Sequence, residues 1–197
     1  MSVKTVRSIK SREIALCGLF IALTALGARI NFPLPFGNYY SLQFLFVLLA
    51  GMLLGPYYGA LSLGLYVALG LMGFPLFAAG GGIAYVVKPT FGFLLGFVAA
   101  AFVTGTLVQI LTKHRFSASH RSLLFLQYLV ASLGGLVVTY GFGIFYMYFA
   151  NHAFLGIEVP LWGMVLTCFP IDIPCDAVLC VVAALLGPRL ASLLKRR

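Results

Sequence analysis

The stretch SLQFLFVLLAGMLL (residues 41–54) and, after Gly55-Pro56, the stretch YYGALSLGLYVALGLMG (residues 57–73) decide the fold class. Both belong to a run over residues 30–87 without any Lys, Arg, Asp or Glu, and further charge-free runs cover 89–112 and 122–157. A transmembrane helix needs about 20 mostly apolar residues. Soluble domains contain about 25% charged residues, whereas this chain contains 9%. The sequence therefore predicts an all-α, polytopic integral membrane protein with one transmembrane domain over residues 1–197.

Six transmembrane helices are predicted, at about residues 12–31, 41–54, 57–73, 89–111, 123–149 and 161–186. Most of the 13 basic residues fall in three clusters, at 4–12, 113–121 and 189–197. Six spans would place these clusters on one side of the membrane, and the positive-inside rule assigns that side, with both termini, to the cytoplasm. The net charge of +9 is then a topology signal helped by anionic lipid, not a nucleic-acid surface. We expect a multi-pass protein of the bacterial plasma membrane.

Two aspartates, Asp172 and Asp176, lie in the last apolar stretch of a chain that contains only 4 acidic residues. A carboxylate at membrane depth costs roughly 2.5–3.5 kcal/mol on insertion scales, so such residues normally face a cavity. Their spacing places both on one face of a helix. Pro170 and Pro174 are predicted to interrupt that helix and to free carbonyl groups beside the acids. The pattern predicts a binding site, within the bilayer, for a ligand that donates hydrogen bonds.

Two patterns of small residues each leave two interpretations open. The segment 70–84 contains three consecutive glycines at 80–82, and it either contacts a ligand or only connects two helices. It is not a phosphate-binding loop, because no Gly-Lys-Ser/Thr follows it and no strand precedes it. Gly18 and Ala22 form a smooth strip on the first helix. That strip is either a docking surface for a partner protein or a surface for packing within the domain.

The sequence carries no pattern that indicates catalysis or a metal. Its 4 cysteines have no Cys-x-x-Cys spacing and are predicted to be free thiols. An intramembrane aspartyl protease would carry its two acids on different helices, whereas Asp172 and Asp176 are predicted on one. The protein is therefore not expected to be an enzyme.

Four segments of the chain together resemble the BioY family. They are SLQ at 41–43, LLGPYYGA at 53–60, GFPLFA at 73–78 and PTFGFLLGF at 89–97. The resemblance weakens over the fifth helix and resumes at Pro174-Cys175-Asp176. The family usually has threonine at the position of Ser41 and commonly a lysine at the position of Leu179. No role of that lysine carries over to this chain.

The resemblance implies the biotin-binding S component of an energy-coupling-factor (ECF) importer, which captures biotin at the outer face for ATP-driven uptake. It implies a partner module of a transmembrane coupling protein and two ATPase subunits, and this chain has no ATPase motif of its own. Gly18 and Ala22 are then the expected docking site. Biotin is the transported ligand, and no resident cofactor is implied. The two membrane carboxylates alone also permit another function, a proton-coupled carrier for a different small solute.

The polar groups of biotin suggest partners among these residues. Asp176, and with it Asp172, is expected to accept the ureido N–H bonds, since charge-assisted bonds are about twice as strong as neutral ones. Gln43 or the nearby Asn38 is expected to donate to the ureido oxygen. Two alternatives remain: the acids form an internal ion pair with a basic side chain, and Gln43 only bridges helices.

The remaining candidates are aromatic or cationic. Phe74, Phe77 and Tyr85 are expected to form apolar walls around the rings of biotin. Lys88 is the expected partner of the carboxylate tail, and Arg29 is its competitor. Both cations have the alternative of extending to the outer membrane interface without touching a ligand.

Overall fold

The computed structural model describes residues 11–33, 39–113, 121–158, 160–168 and 172–195. The helices are α1 (Ser11–Arg29), α2 (Gln43–Leu71), α3 (Phe91–Lys113), α4 (Arg121–Ala150), α5 (Leu161–Cys168) and α6 (Asp172–Lys195). Strands β1 (Asn31–Pro33) and β2 (Tyr39–Ser41) form a small antiparallel hairpin after α1. A 3-10 helix (Ile83–Val87) precedes α3, and a π-helical turn (Asn151–Leu155) extends α4. Within the described ranges five helices are long and apolar enough to cross a membrane, which confirms the predicted all-α membrane fold.

Helix α2 reverses its direction at Gly55, where φ is 79° and ψ is 179°. This backbone conformation is open almost only to glycine. Gln43 Nε2 donates to Tyr66 Oη at 2.6 Å, although a straight helix would separate these two residues by about 34 Å. A Cβ atom added to Gly59 would likewise lie 3.0 Å from Gly51 Cα. The two halves of α2 are therefore antiparallel neighbours, and they correspond to the second and third predicted spans.

The last predicted span, residues 161–186, corresponds to two helices. α5 ends at Cys168, and α6 continues to Lys195, beyond the predicted end. Pro174 lies in the first turn of α6, where a missing N–H group leaves no acceptor unpaired. The prediction that Pro174 interrupts the helix is therefore wrong. Pro170 lies outside the described residues.

Helix α3 is the centre of the fold, because it packs against both α2 and α4. Small residues allow the backbones to meet: a Cβ atom added to Gly105 would lie 2.6 Å from Pro56 N and 2.7 Å from Gly55 C. Close packing of this kind is the main attraction between helices in lipid. An apolar side chain gains no hydrophobic free energy when it moves from lipid to a contact between helices. α1 packs on α2, and α6 packs on α4 and α2.

The two ends of this bundle differ in charge. Arg12, Lys113, Arg121 and Arg189 lie toward the helix ends nearest the chain termini and the α3–α4 connection, and we call this the inner end. The opposite end carries the β1–β2 hairpin and the connections that follow α2 and α4. The positive-inside rule predicts that this opposite end faces away from the cytoplasm, and we call it the outer end.

Candidate functional site

A cavity of about 350 Å³ lies at the outer end, between α2, α3, α4 and α6. Its size falls within the range of about 300–1,000 Å³ that small-molecule sites occupy. The polar lining consists of Ser41, Gln43, Tyr85, Lys88, Thr90, Thr139, Tyr140, Asp172 and Asp176. The apolar lining consists of Phe44, Ala78, Ala79, Pro89, Phe93, Leu94, Phe97 and Met147. A few polar groups among apolar walls are typical of a site that holds a small ligand in one orientation.

Asp176 is the most deeply buried acid of this cavity, with 8% of its surface exposed. Its Oδ2 atom accepts a hydrogen bond from Tyr140 Oη at 2.8 Å. The Tyr140 ring is itself held edge-on by Phe93, with 5.6 Å between the ring centroids. α4 and α3 thus fix the orientation of a carboxylate that α6 supplies. A buried, oriented carboxylate is a strong acceptor for N–H groups, because the surroundings screen its charge only weakly.

Asp172 lies one turn before Asp176 and is half-buried. Its Oδ1 atom is buried and accepts no hydrogen bond from any described residue. A buried acceptor without a donor is unfavourable, and its position in a cavity indicates a place for a ligand donor. The two acids therefore face one cavity from one side of α6, as their spacing predicts.

The predicted alternative of an internal ion pair does not occur between these acids and the two candidate cations. The Arg29 guanidinium donates to the Pro75 carbonyl. Lys88 Nζ lies over the Tyr85 ring, 4.7 Å from its centroid, which is a cation–π contact. Among the described residues neither cation makes a salt bridge with Asp172 or Asp176, so the predicted ion pair with Arg29 or Lys88 is absent there.

Lys88 lies at the mouth of the cavity, because it lines the cavity and is exposed to solvent. Tyr85 beneath it is buried, and its ring packs against Phe77 at 4.6 Å between centroids. Burial raises the pKa of the Tyr85 phenol, so this group remains neutral. Lys88 thus borders the cavity and is also exposed, which fits both the predicted contact with a ligand and the predicted extension to the interface.

Gln43 both bridges helices and lines the cavity. Its Oε1 atom accepts from Ser41 Oγ at 3.0 Å, and its Nε2 atom donates to Tyr66 Oη at 2.6 Å. Tyr66 in turn donates to the Leu76 carbonyl at 2.9 Å. This chain of bonds ties both halves of α2 to the connection that follows them, and it leaves one N–H of the amide for a ligand.

Three predicted site residues do not line the cavity, and a fourth is not described. Phe77 is 0% exposed and packs between Tyr66 and Tyr85, behind the cavity wall. Phe74 is 55% exposed and faces away. Arg29 contacts the loop carbonyl of Pro75 rather than the cavity. The expected walls at Phe74 and Phe77 are therefore corrected to Phe93 and Phe97, and Asn38 lies outside the described residues.

The glycine-rich connection contributes to the cavity through its alanines, not its glycines. Ala78 and Ala79 line the cavity. The glycines shape the loop: φ is 105° at Gly80 and 101° at Gly82, and Gly82 N donates to the Gly70 carbonyl at 2.7 Å. The loop is therefore a wall of the cavity, and its glycines permit the turns that place it there.

Thr139, Tyr140 and Met147 on α4 line the cavity, and the sequence did not indicate them. A tyrosine in such a helix is more often a packing or interface residue, so Tyr140 is not by itself a signal of a site. Their spacing around one face of α4 is a weak signal, because α4 is apolar all round. Leu179, at the position of the family's lysine, is buried in the core and lies outside the lining.

Gly18 and Ala22 lie on the exposed face of α1. A Cβ atom added to Gly18 would meet no other atom within 4 Å. This excludes the predicted alternative in which the strip packs within the domain. Among the described residues Cys17, Cys175 and Cys180 are free thiols, and no group of three metal-binding side chains occurs there.

The sequence of this chain is similar to a known family of membrane proteins. The BioY family model matches residues 1–196. A protein of Lysinibacillus sphaericus named "Probable biotin transporter BioY" is 38% identical over 181 residues, which cover 90% of this chain and 86% of that protein. The "Biotin transporter BioY" of Rhodobacter capsulatus is 38% identical over 185 residues, covering 91% of this chain and 93% of that protein.

The fold is similar to a solved crystal structure. That structure is the S-component for biotin from an ECF-type ABC transporter, and the TM-score is 0.79 over 94% of this chain and 95% of that chain. The sequence identity is 21%, so this likeness concerns the fold alone.

Proposed function

The chain belongs to the BioY family, and we propose that it is the substrate-binding component of a biotin importer. It is a multi-pass protein of the cell membrane. Proteins of this family are transporter components and not enzymes. In the proposed cycle the outer cavity captures biotin, and an ATP-driven partner module completes the uptake.

The observation that supports this function best is that two acidic side chains and two aromatic side chains line the same cavity. Asp172 and Asp176 line one side, and Phe93 and Phe97 line another. Biotin has two ureido N–H donors, an apolar second ring and a carboxylate tail. The acids match the donors, and the aromatic walls match the apolar ring, so each part of the ligand meets a complementary surface.

Asp176 is the main recognition group in this proposal. Its bond from Tyr140 occupies Oδ2 and holds the carboxylate in one orientation before any ligand arrives. Such preorganisation lowers the entropy that binding would otherwise cost. Asp172 receives the second ureido N–H on Oδ1, which no described residue satisfies. Gln43 contributes its remaining amide N–H to the ureido oxygen.

Lys88 is the proposed partner of the biotin carboxylate. It borders the cavity and is exposed, so the tail reaches it at the mouth while the rings lie deeper. The Tyr85 ring beneath the ammonium group limits its motion through the cation–π contact. Arg29 is the weaker candidate, because its guanidinium is engaged by Pro75 and does not border the cavity.

The proposed partner module consists of a transmembrane coupling protein and two ATPase subunits. We expect the coupling protein to dock on Gly18 and Ala22, which lie exposed on α1 where another backbone can approach closely. Gly18→Leu should reduce recovery of the module with the tagged protein and leave biotin affinity unchanged. Gly141→Leu is the matched control, since Gly141 is also exposed and open but lies on α4. Equal recovery with both variants would contradict this docking site.

The central experiment is calorimetric titration of the purified protein in detergent with biotin. Mass spectrometry of the purified protein, before any biotin is added, identifies the small molecule that it carries from the cell. Biotin binding with one site per chain supports the proposal, and the absence of heat with biotin overturns it. Uptake that persists without the ATPase subunits and stops when the proton gradient collapses would favour the proton-coupled carrier.

A further inference from the structure

Thr139 on α4 carries a hydroxyl group that the fold buries without using it. The side chain is 1% exposed, and Oγ1 makes no hydrogen bond to any described residue. Burial of a hydroxyl without a partner is unfavourable. The hydroxyl therefore has either no role or a partner that is not among the described residues.

Four other helical hydroxyls of the same chain are satisfied locally, whereas that of Thr104 on α3 is not. The donors Thr24, Thr106, Thr112 and Ser132 bond to the carbonyl four residues earlier, at 2.7, 2.8, 2.6 and 2.8 Å. This is the usual solution for serine and threonine in helices that cannot reach water. Thr139 lacks that bond although its helix continues unbroken through Arg121–Ala150. Its hydroxyl is thus available for a different acceptor.

The Thr139 side chain lines the outer cavity together with Asp176. Its sequence neighbour Tyr140 holds the Asp176 carboxylate at 2.8 Å. The backbone at Thr139 is fixed by α3, since a Cβ atom added to Gly96 would lie 2.8 Å from Thr139 O and 3.0 Å from its Cα. Tight helix packing therefore presents the hydroxyl to the cavity from a rigid position.

We propose that Thr139 Oγ1 donates a hydrogen bond to the bound ligand and selects ligands that carry an acceptor beside their N–H donors. This inference rests on the proposed function, under which the ligand is a cyclic urea. Asp172 and Asp176 accept the two N–H bonds. The ureido carbonyl oxygen has two lone pairs, so it accepts one bond from Gln43 and a second from Thr139. Thr139 is therefore a specificity-determining residue of the outer cavity.

Thr104 on α3 provides a matched control. It is also a threonine, it is 0% exposed, and its Oγ1 also makes no hydrogen bond to a described residue. It does not line the outer cavity. Valine replaces the hydroxyl of threonine by a methyl group of similar size. Thr139→Val and Thr104→Val thus make the same chemical change at two buried positions, and only one of these positions borders the cavity.

The test measures biotin affinity by calorimetry for both variants and for Thr139→Ser. Thr139→Val should weaken binding about tenfold, the loss expected for one hydrogen bond to a buried acceptor. Thr104→Val should change it less than about twofold, and Thr139→Ser should retain most of the affinity because the hydroxyl remains. Thermal unfolding without biotin verifies that each variant is folded.

A ligand analogue identifies the acceptor. In 2-thiobiotin a sulfur atom, which is a weaker acceptor, replaces the ureido oxygen. The penalty for Thr139→Val should be clearly smaller with this analogue than with biotin. The same penalty with both ligands contradicts the assignment to the ureido oxygen.

Two further outcomes overturn the inference while leaving the proposed function intact. One is unchanged biotin affinity in Thr139→Val, and the other is equal weakening in Thr139→Val and Thr104→Val. A wild-type protein that does not bind biotin refutes the proposed function itself, and this inference with it.

Discussion

Two cavities of similar size lie at opposite ends of the bundle, and they differ in how deeply their polar side chains are buried. The outer cavity of about 350 Å³ buries Asp176, Gln43 and Thr139. The inner cavity of about 450 Å³ lies between the start of α1 and the ends of α3 and α6. Its Arg12 and Gln109 are exposed, and of its described polar side chains only Tyr128 is buried. Buried polar groups are unfavourable unless something bonds to them. The difference indicates that burial of polar groups, not cavity volume, identifies a ligand site.

The inner cavity is better explained by how the helices end. Helix α2 turns back at Gly55, while α3 continues to Lys113. A space therefore remains between the turn of α2 and the inner end of the bundle. Arg12 borders this space and donates to the Leu194 carbonyl, which ties α1 to the end of α6. We therefore expect changes in the inner cavity to affect stability and changes in the outer cavity to affect biotin binding.

The largest expected effect is that of Asp176→Asn on biotin affinity. Removal of one side of a buried, charged hydrogen bond typically costs about 2–5 kcal/mol of binding. Glu13→Gln makes the same change in the inner cavity and should leave affinity unchanged. Calorimetric titration of both variants decides this. Unchanged affinity in Asp176→Asn would refute the role assigned to this carboxylate.

The second expected effect concerns the group that orients Asp176. Tyr140→Phe removes the donor to Oδ2 and should weaken biotin binding by about 1.5–3 kcal/mol, as hydrogen bonds to charged groups contribute. Tyr128 lines the inner cavity, and Tyr128→Phe should not change the affinity. If both variants bind biotin as the wild type does, Tyr140 only packs against its neighbours.

The third prediction concerns stability, which a change near the inner cavity should lower without changing biotin affinity. Gly55→Ala places a side chain at φ 79° and within 2.9 Å of Gln109 Nε2, and should destabilise the protein by about 1–3 kcal/mol. Gly64→Ala is the control, because a Cβ atom there meets nothing within 4 Å. The measurement is thermal unfolding in detergent without ligand. Biotin affinity of the folded fraction should be unchanged in both variants. A large loss of affinity in Gly55→Ala would contradict the expectation that changes at the inner end affect stability and not binding.

The smallest expected effect is that of Lys88→Gln. An exposed ion pair contributes about 0.2–1 kcal/mol, so biotin should bind slightly less tightly, and added salt should reduce the difference. The methyl ester of biotin, which has no tail charge, should bind wild type and variant equally. Arg29→Gln should have no effect on either ligand. If Arg29→Gln weakens biotin binding more than Lys88→Gln does, Arg29 and not Lys88 is the partner of the biotin carboxylate.

Much of the fold follows from local sequence, because lipid imposes strict conditions on a chain. Long charge-free runs predict spanning helices, since an apolar segment of sufficient length must satisfy its backbone internally. The break at Gly55-Pro56 predicts the reversal of α2, since almost only glycine adopts the backbone angles found there. Asp172 and Asp176 stand out because a carboxylate is rare and costly at membrane depth.

What the sequence determined by itself is therefore the class of fold and the two acids of its outer cavity. Only the tertiary structure decided which other side chains meet them: Thr139 faces the cavity, Phe77 lies behind its wall, and Lys88 rather than Arg29 stands at its mouth. The physical reason is that lipid and protein interior are equally apolar. A membrane helix needs no polar face toward its surroundings, so the sequence leaves no hydrophobic periodicity from which the inward face can be read.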